Sequence, residues 1–191
     1  MLREIISGGQ TGADQGILKA ANFYYSRSIP GEDPPIKFGG WMPKGFLTED
    51  GKRPWMGEVG FKEHESPKYP PRTFANVKDC DGTIRFASIW HSPGEVLTRK
   101  ACLQYKKPYW DISLYDPMPV VDTVEWIIDN DIAVLNVAGN RESTSPGICE
   151  FTGNYLIEVL KLLTGVGTDY GINRRTEKSL RCGSRKDHRR N

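Results

Sequence analysis

The chain has 191 residues, enough for one core of ordinary size, with a mean hydropathy of -0.52 and no run near the roughly 18 apolar residues that span a membrane. Its net charge of +2 is uneven: residues 169–191 hold eight Lys/Arg against three Asp/Glu, which leaves eighteen against twenty-one, or −3, in the first 168. That acidic body argues against a polyanion groove, so contact with nucleic acid is expected, if anywhere, only through the basic end, which reads as a solvated tail.

Leu2 to Ile6 is the first apolar run and predicts a buried strand, leading through SGGQTGADQG (7–16) into ILKAANFYY (17–25), which has helical spacing. Residues 26–38, rich in proline and charge, and residues 39–60, which hold GGWMPKG and EDG, predict loops over one end of a sheet. Pro70-Pro71 predicts a helix start with Pro71 as its first residue. Thr83 to Ala87 then repeats the opening grammar, through SIWHSPGE into the helical VLTRKACLQYKK, and Tyr109 to Ser113 adds another apolar run. Val120, Val121, Val124, Ile127 and Ile128 mark one helix face. Ile132 to Val137 leads through AGNRESTSPG into ICEFTGNYLIEVLKLL. Strands alternating with helices of this length predict a single α/β domain over 1–163, an open parallel sheet with helices on both faces, followed by a basic tail over 164–191.

In such a sheet the loops at the carboxyl ends of the strands deliver helix amino ends, with their free N–H groups, to one crevice that suits an anion. Gly8, Gly9 and Gly12 permit close backbone approach, and Thr11 with Asp14 has capping-box spacing. Ser92-Pro93-Gly94 and Ser145-Pro146-Gly147 each read as a Ser cap followed by Pro at the first helical position. Tight turns and stabilising caps account for the same residues without a ligand. Lys44, Arg72 and Arg141 have no obvious partner nearby in sequence, and Arg72 faces the positive end of a helix dipole unless a bound anion, or a carboxylate such as Asp79 or Asp81, offsets it. Trp41 and Trp90 fall in crevice loops and suit a flat heterocycle, whereas Trp126 reads as core. The histidines at 64, 91 and 188 are scattered, and Cys80, Cys102, Cys149 and Cys182 show neither zinc spacing nor a disulfide framework, as expected for a reducing cytoplasm. No metal ligands are expected.

SGGQTGAD, GGWMPKG, EDG at 49–51, YPPRTFANVKDCDGTI at 69–84 and LNVAGNRESTSPGI at 135–148 together resemble the molybdenum cofactor carrier family, a branch of the Rossmann-like superfamily that includes lysine-decarboxylase-like (LOG) proteins. The resemblance spans residues 1 to 163. It implies a Rossmann-like sheet, self-association into dimers or tetramers, and binding of the molybdenum cofactor (molybdopterin) or another phosphorylated heterocycle or nucleotide. The contacts expected from it fall in four groups along the chain: Gly8, Gly9, Gln10, Thr11, Gly12 and Asp14; Gly40, Trp41 and Lys44; Arg72 and Thr73; and Ser92, Gly94 and Thr98 with Asn140, Arg141, Glu142, Ser143 and Gly147. The sequence departs from the pattern at 23–38, which reads as an insertion, and at HSPGEVLT, where relatives carry a glycine pair before the threonine. The LOG-type Pro-Gly-Gly-x-Gly-Thr-x-x-Glu stretch is not intact, so binding without catalysis is expected. A nucleoside monophosphate phosphoribohydrolase, or a sensor of a nucleotide-derived signal, is the alternative.

Overall fold

The computed structural model describes residues 1–27 and 36–167; residues 168–191 of the basic tail and residues 28–35, half of the 23–38 insertion, lie outside the described residues. Six parallel strands form one sheet: β1 (Glu4–Ser7), β2 (Lys37–Met42), β5 (Phe61–Glu63), β6 (Gly82–Ala87), β7 (Tyr109–Ser113) and β8 (Val134–Gly139), in the order β5-β2-β1-β8-β6-β7. The two-residue strands β3 (Leu47–Thr48) and β4 (Gly51–Lys52) form a separate antiparallel hairpin. Helices α1 (Ala13–Tyr25), α4 (Val120–Asp129) and α5 (Ile148–Thr164) pack together on one face, while α2 (Tyr69–Asp79) and α3 (Pro93–Tyr105) cover the other. This is the Rossmann-like arrangement expected.

Strands covered on both faces have no solvent side, which is why β6, GTIRFA, is buried at all six positions. The core runs from Ile5 and Leu135 through Ile17 and Val159 to Phe86, whose ring meets Tyr155 edge-on at 5.5 Å. Trp126 packs against this core, stacked on Trp110 at 5.8 Å. The chain moves outward from β1 to β2 and β5, restarts at β6 and β7, and returns as β8 between β1 and β6. Strand order therefore reverses at the centre, where open α/β sheets hold their ligands beyond the carboxyl ends.

The stretch expected to be loop from 39 to 60 contains most of β2, the hairpin and a 3-10 turn at Pro54–Val59. Glycines hide β2 in the sequence, and packing demands them. A Cβ on Gly39 would sit 2.3 Å from the Gly60 carbonyl oxygen, and one on Gly40, at φ +126°, 2.1 Å from that of Ser7. Helix α2 likewise starts two residues earlier than expected, at Tyr69 rather than Pro71.

Candidate functional site

The β1–α1 turn is filled by the chain itself. Gly9 N–H donates to Ser7 Oγ at 3.2 Å, Gln10 N–H to Asp14 Oδ2 at 3.3 Å, and Thr11 N–H to Gln10 Oε1 at 2.9 Å. Ser7 Oγ in turn donates to the Asp14 carbonyl at 2.7 Å. Helix α1 begins after Gly12 with no side-chain cap, so the expected Thr11–Asp14 capping box does not form. Both side chains are drawn to distant partners instead. Asp14, 3% exposed, pairs with Arg72 Nη1 at 3.2 Å, and Thr11 Oγ1 donates to Glu49. Gly8 explains how Arg72 gets in: a Cβ there would lie 1.4 Å from Arg72 Nη1. Burial raises the Asp14 carboxyl above its ordinary value, against the pull of the guanidinium.

Glu49, at the tip of the β3–β4 hairpin, closes a second layer over this turn. Its backbone N–H donates to Gln10 Oε1 at 2.8 Å, and its carboxylate accepts from Thr11 Oγ1, from Ser143 N–H at 3.4 Å and from Ser143 Oγ at 2.5 Å, with Arg141 Nη1 at 3.9 Å. Burial acts to raise its pKa, but the hydrogen bonds from Ser143 and Thr11 prevail and hold it below its ordinary value. Arg141 also lies over the Tyr69 ring at 4.8 Å, so one guanidinium joins the β8 loop to the start of α2.

The amino ends of α5 and α3 differ. Helix α5 starts at Ile148, behind Gly147 at φ +86°, and the Glu142 carboxylate accepts from the N–H groups of Gly147 and, at 3.0 Å, Cys149. The expected Ser145 cap is absent, because Ser145 is buried with its Oγ 2.6 Å from Ser88 Oγ. At α3 the expected cap forms: Ser92 Oγ accepts from Glu95 N–H at 3.4 Å, with Pro93 as the first helical residue. Gly94 follows, exposed, with no heavy atom within 4 Å of where its Cβ would stand.

Beneath α3 lies a buried charge cluster. Arg85, 3% exposed, donates through Nε and Nη2 to Asp111 at 2.7 and 2.5 Å and through Nη1 to the Glu95 carbonyl at 3.1 Å, with the Trp90 ring 5.2 Å and the Tyr109 ring 4.9 Å from its guanidinium. Glu95, 1% exposed, sits 3.7 Å from Arg85 Nη1 and accepts from Asn140 Nδ2 at 3.4 Å, while its Oε2 has no hydrogen-bond partner among the described residues. Burial pushes its pKa up to about 8, countered by Arg85 and reinforced by Asp14 and Asp111. Burial thus favours the protonated form of Glu95, and Asp111 is the closer counter-ion of Arg85.

The model of the Circularly permutated YpsA SLOG family matches residues 5–160. The chain belongs to this family. A solved structure from Syntrophus aciditrophicus, named "Putative molybdenum carrier protein", is 36% identical, with 83% of this chain and 94% of that one covered and a TM-score of 0.67. Comparison with curated proteins gives no match.

Within this YpsA-type fold, Gly8 to Asp14, Arg72, Asn140 to Ser143 and Gly147 gather at the carboxyl ends of β1 and β8, and Ser92 and Gly94 stand beside them beyond β6. Asn140 staples the loops together, accepting from the N–H groups of Ser88 and Ile89 at 3.0 and 2.9 Å and donating to the Ile89 carbonyl at 3.0 Å. Thr73 and Thr98 turn their hydroxyls back to the carbonyls of Tyr69 and Gly94 in their own helices. Lys44 is exposed on the β2–β3 loop. Trp41 and Gly40 lie in the carboxyl half of β2 rather than in a crevice loop: Trp41 Nε1 donates to Asp79 at 2.7 Å, and both residues line a cavity of about 150 Å³ with Glu4, Ile6 and Val134. Arg72 and Arg141, which have no obvious partner nearby in sequence, both face carboxylates, 58 and 92 residues away; the partner of Arg72 is Asp14 rather than Asp79 or Asp81. Glu49 and Arg85 were not among the expected residues; the EDG triplet pointed to the first, and an arginine inside an apolar strand was the available sign of the second.

Among the described residues, no cluster of His, Cys, Asp or Glu is suited to a metal ion, and no helix is long and apolar enough to cross a membrane. Cys80 and Cys102 are buried free thiols and Cys149 is half-buried.

Proposed function

We propose that the chain binds and carries a phosphorylated heterocycle, with the molybdenum cofactor (molybdopterin) class as cargo, its phosphate held at the amino end of α3. The observation that carries this reading is Gly94. As the second residue of α3 its N–H precedes the helix's own hydrogen-bond ladder, the Ser92 cap takes Glu95 N–H instead, its backbone is not left-handed, and no neighbouring atom requires the missing side chain. A glycine that the fold does not need, at a capped helix start beside the point where strand order reverses, fits a ligand that must approach the backbone. Trp90, half-buried with Arg85 against its ring, supplies an aromatic wall for the heterocycle. The name of the Syntrophus aciditrophicus structure agrees with a molybdenum-linked cargo, which would ride on its own dithiolene sulfurs without a protein ligand to the metal.

Glu95 favours a second reading, phosphoribohydrolase chemistry, because a carboxyl protonated up to about pH 8 is suited to general acid catalysis. Its burial beneath the helix, facing Arg85 and Asn140, counts against contact with a substrate. One experiment separates the two. In a thermal-shift panel of molybdopterin precursors, nucleoside monophosphates and molybdate, a phosphorylated member at 100 times its Kd should raise stability by about 2.7 kcal/mol. Chromatography of the same nucleotide incubations should show no free base. The appearance of base would establish the hydrolase, and no shift with any phosphorylated member would remove the binding assignment.

A further inference from the structure

The notch between the β1 turn and the β8 loop has the makings of a receptor for an oxyanion. Thr11 Oγ1, Ser143 N–H and Ser143 Oγ converge from two loops on one point, Arg141 stands 3.9 Å off, and the occupant is the chain's own Glu49 carboxylate. A second observation points to a ligand there. Gln10, 4% exposed, accepts from Glu49 N–H and Thr11 N–H through Oε1, yet Nε2 of the same amide, beside the hairpin tip, is buried without a partner. An amide donor buried with nothing to bond is costly unless something else satisfies it.

The hairpin that carries Glu49 is a small unit with little pairing of its own. Its strands are two residues each, too short to stand alone as a sheet, and Gly45 and Gly51 flank the tip at φ +78° and +99°, with nothing within 4 Å of a Cβ at Gly51. Thr48, a buried residue of the hairpin itself, donates to the Gly51 carbonyl at 2.9 Å and keeps the tip in shape as a unit.

We propose that Glu49 is an internal competitor: its carboxylate occupies a second anion subsite, formed by Thr11, Ser143 and Arg141 with Gln10 Nε2 at its side, and a tetrahedral oxyanion binds by displacing it. The proposal rests on the reading of the crevice as a ligand site and adds how access to it is controlled. A phosphoryl group of the cargo and a free inorganic oxyanion present the same chemistry to these donors. Removing Glu49 should therefore strengthen anion binding, although it takes a hydrogen-bonding residue out of the crevice.

Isothermal titration of the full chain with inorganic phosphate and, separately, with molybdate tests this in wild type, Glu49→Gln and Glu49→Ala. If the lifted form makes up a tenth or less of the wild type, apparent affinity for at least one oxyanion rises about tenfold or more in Glu49→Ala. Glu49→Gln, which keeps the shape of the hairpin, gains in the same direction. Adding Thr11→Val and Ser143→Ala to Glu49→Ala should abolish the gain, and circular dichroism of each variant confirms that it is folded. A gain for both anions identifies a general oxyanion subsite; a gain for phosphate alone ties it to a phosphoryl group. Unchanged, weaker or undetectable binding in both folded single variants overturns the proposal. Heterocycle binding to wild type with no oxyanion gain removes the competitor alone, whereas an oxyanion gain with no heterocycle binding removes the cargo assignment alone.

Discussion

Helices α3 and α5 enter the crevice from neighbouring strands behind the same Ser-Pro-Gly tripeptide, yet one amino end is open and the other is stoppered. In α3 the serine is the cap and the glycine is the second helical residue, left bare to solvent. In α5 the helix begins three residues after the serine, the glycine is the left-handed residue before it, and the Glu142 carboxylate sits where an anion would bind. Identical local sequence thus gives opposite chemistry, because a longer β8 loop brings its own acid. The β1 side follows α5, with Asp14 and Glu49 already in place, so charge is balanced internally on one side of the crevice and a helix start is left free on the other.

The strongest way to break this contrast is to disturb the closed side. Arg72→Ala should remove the counter-ion of Asp14, which is 3% exposed, and should cost about 3–5 kcal/mol in urea unfolding. If Arg72 were instead held for a bound anion, its removal would relieve repulsion by the α2 dipole and leave the empty protein no less stable. A midpoint unchanged from wild type would revive that view and return Arg72 to the ligand.

A smaller effect is expected beneath the open helix. Glu95 has a pKa of about 8 in the folded chain against an ordinary 4.5, so between these values the folded chain holds a proton that the unfolded chain has released. Its contribution is fully present below about pH 4.5 and is lost as pH rises through 8, on the order of a few kcal/mol in all. Glu95→Gln keeps the shape without the titration and should flatten stability against pH between 5 and 8, measured as urea midpoints across that range. A slope equal to that of wild type would place the proton elsewhere and make Arg85–Glu95 an ordinary ion pair.

Local patterning made the strands and helices legible wherever apolar periodicity ran unbroken, as in β6, β8 and α5. It failed at β2, because Gly39 and Gly40 are chosen by backbone contacts with Gly60 and Ser7 that no local window contains. The site divided in the same way. Ser92 as a cap is a three-residue relation, and it was readable. The partners of Thr11, Asp14, Arg72 and Arg141 lie 38 to 92 residues away, and only the fold brings them together. Arg72 and Arg141, which looked free for a ligand in sequence, were therefore already matched.

The smallest change sharpens the contrast most. Gly94 has an ordinary helical backbone and open space at the Cβ position, so Gly94→Ala introduces no clash and reduces the freedom of the unfolded chain. Urea unfolding should show a gain of about 0.4–1 kcal/mol. The same methyl group projects into the space through which a phosphate would reach the Gly94 N–H, so the affinity for the phosphorylated ligand found in the thermal-shift panel should fall by about tenfold or more, the loss of one charge-assisted hydrogen bond. A variant that is more stable and binds less is what a glycine kept for a ligand predicts. If Gly94→Ala instead binds as well as wild type, the open end of α3 is only a well-capped helix start, and the phosphate must be sought on the β1 side, in the notch that Glu49 now fills.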